Sequence, residues 1–80
     1  NMTRAEKSIE AHQNCINLTE CIESYKKYIR TNEKKIKDYE KFGYSNISKW
    51  LNHNIEIQKM VVKRLEERYK RNFRLIVSFF

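Results

Sequence analysis

From Cys15 to Tyr39 the apolar positions recur at alternating steps of three and four: Cys15, Leu18, Ile22, Tyr25, Ile29, Asn32, Ile36 and Tyr39. These are the a and d positions of a heptad held for more than three repeats. That is the period of a helix burying one stripe along a partner helix. Only Asn32 interrupts the line. Glu23 to Lys27 and Glu33 to Lys37 stand four apart on its flanks, in the order that favours ion pairs on a helix.

The run stops at Gly43, the only glycine in a chain without proline. Glycine alone takes the left-handed conformation that ends a helix without steric cost. A second line follows: Ile47, Leu51, Ile55, Val62, Leu65, Tyr69, Phe73 and Ile76, with Gln58 interrupting it. Trp50, Asn54, Ile57 and Val61 flank that line and make the stripe wider than one seam requires. The spacing predicts helix 1 over about residues 3–41, a turn over 42–45 and helix 2 over about 46–77. Thr3-Arg4-Ala5-Glu6 has the form of a capping box that opens helix 1. Ser45 or Asn46 is expected to cap helix 2. The last six residues, Leu75 to Phe80, are the most apolar stretch, and periodicity over six residues does not choose between helix and extended tail.

A reversal at Gly43–Tyr44 pairs residues whose numbers sum to about 87. Ile36 then meets Leu51, Ile29 meets Gln58, Tyr25 meets Val62, Ile22 meets Leu65 and Leu18 meets Tyr69. Two separately read lines fall into register. Asn32 lands opposite Ile55 and beside Asn54, so the two asparagines are expected to share a layer, either bonded across the seam or turned to water at its rim. The predicted fold is all-α: an antiparallel two-helix hairpin, coiled-coil-like, forming one domain over residues 1–80. One seam leaves apolar surface uncovered on helix 2 and at Ile9 and Ile16 of helix 1. The simplest cover is a symmetric dimer forming a four-helix bundle, and the other is a different protein.

The charge adds a preference for acidic partners. Seventeen lysines and arginines stand against ten acids, a formal net charge of +7. Lys27, Arg30, Lys34, Lys37 and Lys41 follow helical spacing on the outer face of helix 1 and are candidate phosphate contacts. No helix-turn-helix, zinc-finger or basic-zipper pattern accompanies them. Cys15 and Cys21, about 9 Å apart along one helix, are too far apart for a disulfide. Free thiols, with no apolar leader and no membrane-spanning run, give a cytoplasmic expectation.

Enzyme chemistry has no foothold. His12 and His53 fall on different helices, with no second ligand at metal spacing. There is no Gly-rich phosphate loop and no base beside Cys21. No catalytic residue, metal or cofactor is expected. Phe42, Tyr44 and Trp50 are expected to cluster at the hairpin tip. No Trp-x-Gly stands at the turn, which separates the chain from the W-x-G hairpin family. In outline it is similar to the small antiparallel bundles that serve phages and mobile elements as regulators, inhibitors or immunity proteins, a likeness of shape alone. The expected function is therefore a non-enzymatic protein-interaction module. Trp50, Ile57, Val61, Ile9, Ile16, Phe79 and Phe80 are its candidate partner or dimer surface, and membrane attachment is not favoured. The alternative is a nucleic-acid-binding accessory protein using the helix 1 cations.

Overall fold

The computed structural model describes all 80 residues. Helix α1 spans Arg4–Lys41 and helix α2 spans Ser45–Phe79, with no strand. The helices pack antiparallel into a rod of 58 × 17 × 15 Å. That length is close to the roughly 57 Å of a straight helix as long as α1. No helix is long and apolar enough to cross a membrane.

The capping box forms at the start of α1. The Thr3 hydroxyl accepts from the Glu6 backbone N–H, and the Glu6 carboxylate accepts from the Thr3 N–H. Those bonds to Thr3, the backbone one foremost, hold the Glu6 carboxyl below its usual range.

The turn is a Schellman motif. Gly43 takes φ +82°. The N–H of Tyr44 donates to the Tyr39 carbonyl at 2.8 Å and that of Gly43 to the Glu40 carbonyl at 3.1 Å. The hydrophobic contact that accompanies such a cap is present too, because the Tyr39 and Tyr44 rings meet edge to face at 6.2 Å. This geometry overturns the expected cap of α2. Tyr44 closes α1 and is also the first residue outside α2, with no side-chain capping bond. Ser45 is already helical, so neither Ser45 nor Asn46 is at the capping position. Phe42, Tyr44 and Trp50 do not cluster either: Tyr44 turns to Tyr39, and Trp50 remains 65% exposed.

Inward-facing positions follow strict alternation on both helices. On α1 they run Ser8, Ala11, Cys15, Leu18, Ile22, Tyr25, Ile29, Asn32, Ile36 and Tyr39. On α2 they run Ser48, Leu51, Ile55, Gln58, Val62, Leu65, Tyr69, Asn72 and Ile76. Ser48 and Asn72 therefore stand where Ile47 and Phe73 were expected. Ser48 is 3% exposed and Ile47 45%. Two successive steps of four rotate a position off the seam, so helical geometry selects Ser48 although Ile47 is the more apolar residue.

Six residues form the contiguous core: Ile22, Ile29, Ile36, Leu51, Ile55 and Val62, with Tyr25, Tyr39, Leu65 and Tyr69 packed against it. Full burial of one such aliphatic side chain is worth about 1.5–3 kcal/mol. This core is modest, and it occupies the middle and the tip half of the rod.

Polar contacts differ from the sequence expectation. Asn32 is buried, but its amide nitrogen has no partner, and it makes no bond to Asn54. The asparagine pair that does form is at the other end: the Asn14 amide donates to the Asn72 side-chain carbonyl at 3.0 Å. Asn72 in turn donates to the Arg68 backbone carbonyl. The Arg4 guanidinium donates to the Ser78 carbonyl and ties the two helix ends together. The final apolar stretch is helical to Phe79, which resolves the choice left open by periodicity. The one ion pair within 4.0 Å is Lys59–Glu56. The expected Glu23–Lys27 and Glu33–Lys37 pairs do not close, as is common for exposed charges on flexible stems in water.

Candidate interaction surfaces

A two-helix rod has two broad faces, one on each side of the seam. The candidate surface residues divide between them. On the first face, Ala5, Ile9, His12 and Ile16 of α1 stand beside Phe73 and Ile76 of α2 and Phe80 just past its end. A cleft of about 520 Å³ is lined there by Ala5, Ser8, Ile9, His12, Gln13, Ile76, Phe79 and Phe80. A second, of about 530 Å³, continues it through Cys15, Ile16, Thr19, Glu20, Tyr69 and Phe73. The two share His12 and Ile76, so they form one groove at the open end of the hairpin.

The groove has a cause in residue size. At this end α1 offers Ser8, Ala11 and Cys15 to the seam, all buried, while α2 offers Tyr69, Asn72 and Ile76, all half-buried. Small residues opposite large ones let the helices approach and leave the large side chains overhanging. Tyr69 and Phe73 stack at 6.2 Å and 12°, and Phe79 and Phe80 meet edge to face at 5.5 Å. Ile9 remains 70% exposed. The Cys15 thiol lies 3.9 Å from the Tyr69 carbonyl, and burial pushes its pKa up. Cys21 is exposed, and both thiols are free.

The opposite face carries the other candidates. Its α2 positions are Ile47, Trp50, Asn54, Ile57 and Val61, in the half of the rod nearest the turn. Trp50, Ile57 and Val61 are therefore on the other side of the molecule from Ile9, Ile16, Phe79 and Phe80. The seven side chains proposed from sequence form two patches, not one. The same α2 line continues through Arg64, Arg68 and Arg71. Beside it, the α1 positions from Asn14 to Thr31 carry no charge: Asn14, Asn17, Cys21, Ser24, Tyr28 and Thr31. The apolar and arginine segments of α2 thus belong to one line. The signal that joins them is their unbroken three-and-four spacing from Trp50 to Arg71.

Lys27, Arg30, Lys34, Lys37 and Lys41 are all exposed on the outer side of α1, away from the seam, and none has a carboxylate within ion-pair distance. His12 lines the open-end groove, while His53 is exposed on α2. No group of three or more His, Cys, Asp or Glu residues is placed to hold a metal ion. Comparison with protein-family models, with curated proteins and with solved structures finds no match to the chain.

Proposed function

We propose that the chain is a small non-enzymatic protein-interaction module, in the manner of a helical-hairpin adaptor, regulator or inhibitor. It associates with a second copy through the open-end groove. The observation that carries this reading is the ratio of exposed to buried apolar surface. Eight apolar residues are buried, whereas the large apolar side chains left exposed include Ile9, Ile16, Ile47, Trp50, Ile57, Phe73 and Phe80. An excess gathered into patches marks an association surface.

A second copy suits the groove because Glu20, at its inner end, is the one acid, lysine or arginine in its lining. An identical surface can approach with little like-charge repulsion, as a two-fold interface requires. Two hairpins joined in this way make a four-helix bundle at their open ends. Sedimentation over a range of concentrations tests the reading. The expected result is a dimer that Ile9→Lys or Ile16→Lys converts to monomer while helix content is kept. A wild-type chain that stays monomeric at high concentration would contradict it.

A second reading rests on the cations of α1, which are unpaired and aligned. In this reading the chain is a nucleic-acid-binding accessory protein. Its affinity for generic DNA or RNA must then fall steeply as salt rises. Charge reversal at Lys34 and Lys37 must weaken it, and unchanged binding by that variant excludes the stripe.

A further inference from the structure

We propose that the face opposite the groove is a docking site for an acidic amphipathic helix of another protein. The proposal rests on the interaction-module reading and names the partner's chemistry. One line along α2 holds Ile47, Trp50, Ile57 and Val61 and then Arg64, Arg68 and Arg71, at successive steps of three or four with Asn54 between. The first part is apolar: Trp50 is 65% exposed, Ile57 is 44% exposed, and neither belongs to the core. The second part is cationic and unneutralised. No carboxylate pairs with any of the three arginines, and the α1 positions beside them, Asn14, Asn17, Cys21 and Ser24, are uncharged.

This pattern selects among occupants. A second copy offers nothing to the arginines. On this face the acids are Glu10 and Asp38, which stand near opposite ends of α1. Two copies meeting here would bring arginines against asparagines or against one another, at a repulsive cost. A nucleic-acid backbone suits the arginines, but it has no apolar counterpart for isoleucines and valine in a row. An amphipathic helix with apolar residues at three-and-four spacing, continued by glutamates or aspartates, satisfies both segments at once. The uncharged strip of α1 lets such a helix lie along the shallow trough between the two helices without meeting a like charge. Arginine suits the polar end because its planar fork binds carboxylates through two parallel bonds. Trp50 has the size and exposure of an interface anchor.

The chain contains a single tryptophan, so Trp50 emission reports the site directly. The test uses the whole chain and two helical peptides of about twenty residues with the same apolar spacing, one bearing glutamates and the other lysines at the polar positions. A generic DNA duplex is the third ligand. The acidic peptide is expected to bind, to shift Trp50 emission to the blue and to bind less tightly as salt rises. Arg64→Glu with Arg68→Glu should weaken it by about tenfold or more, and Ile57→Ser should weaken it without changing the salt response.

Equal binding of the lysine peptide, or no binding of the acidic peptide at low salt, would overturn the proposal. So would binding of the duplex, but not the acidic peptide, through the same arginines. Sedimentation of the same samples separates the two claims. A chain that dimerises but ignores the acidic peptide refutes only this inference, and a chain that binds the peptide as a monomer refutes only the self-association.

Discussion

The two ends of the rod are built differently from the same heptad. In the tip half, Ile29, Ile36, Leu51 and Ile55 face the seam and are buried. In the open half, Ser8, Ala11 and Cys15 stand across the seam from Tyr69, Asn72 and Ile76, and the larger side chains are left half-buried. Matched large residues close a seam, whereas a small-against-large pairing leaves a groove beside it. Polar groups follow the same division. The tip half encloses three side-chain atoms without partners, Asn32 Nδ2, Ser48 Oγ and Gln58 Oε1. The open half satisfies its polar groups through Asn14, Asn72 and Arg4. The end that holds most of the core therefore encloses unsatisfied groups, and the open end is polar-satisfied and apolar at its surface.

The most severe break in this comparison is a cavity. Ile55→Ala should cost about 2–5 kcal/mol by chemical denaturation. Ile76→Ala should cost clearly less, because its site is already half-open. Equal losses would show that both halves carry the fold alike. Next is the unpaired amide. Asn32→Leu should stabilise the chain by about 1–3 kcal/mol, since it removes a buried donor without a partner. It should also loosen the register or association state that a polar seam position specifies. A destabilised Asn32→Leu variant would mean that the amide is satisfied in solution.

At the turn, Gly43→Ala should cost about 1 kcal/mol from the left-handed backbone alone, because a Cβ there meets nothing within 4 Å. Gly43→Asn should lose less, and the difference in midpoint between the two variants isolates backbone strain. The smallest effect is expected at the capping box. Thr3→Ala should cost about 1 kcal/mol at most and act on the first turn of α1, readable by amide exchange. Because the Glu6 carboxyl is held below its ordinary range, its contribution is present above the unfolded carboxylate pKa. It is lost as pH falls through the lower folded value. Thr3→Ala keeps the backbone donor and should only reduce that dependence, whereas Glu6→Gln should remove it.

The hairpin was legible because its signals are local and mutually constraining. Gly43 alone takes the positive φ, and both lines repeat at the same period. The reversal point then fixes which residues meet. The capping box was legible for the same reason, since four consecutive residues contain the whole motif. The errors arose where hydrophobicity was allowed to stand in for geometry. Ile47 and Phe73 look like core residues but stand one position off the alternation that Ser48 and Asn72 complete. Asn32 and Asn54 look like a polar layer, yet Asn54 flanks the seam, and the cross-helix amide bond is made by Asn14 and Asn72. Tyr44 took the cap of α2 because the Schellman turn leaves no residue between the helices to spare. The surface was half legible. The surplus apolar residues stand out in sequence, but their division between opposite faces depends on how each helix turns about the seam.

That division is the central claim, and Trp50 emission measured across the concentration range of self-association tests it most directly. With the open-end groove as the dimer interface, sedimentation should report dimer formation while Trp50 emission stays in place. A blue shift that tracks dimerisation would put the tip line inside the dimer and contradict the assignment of the two faces.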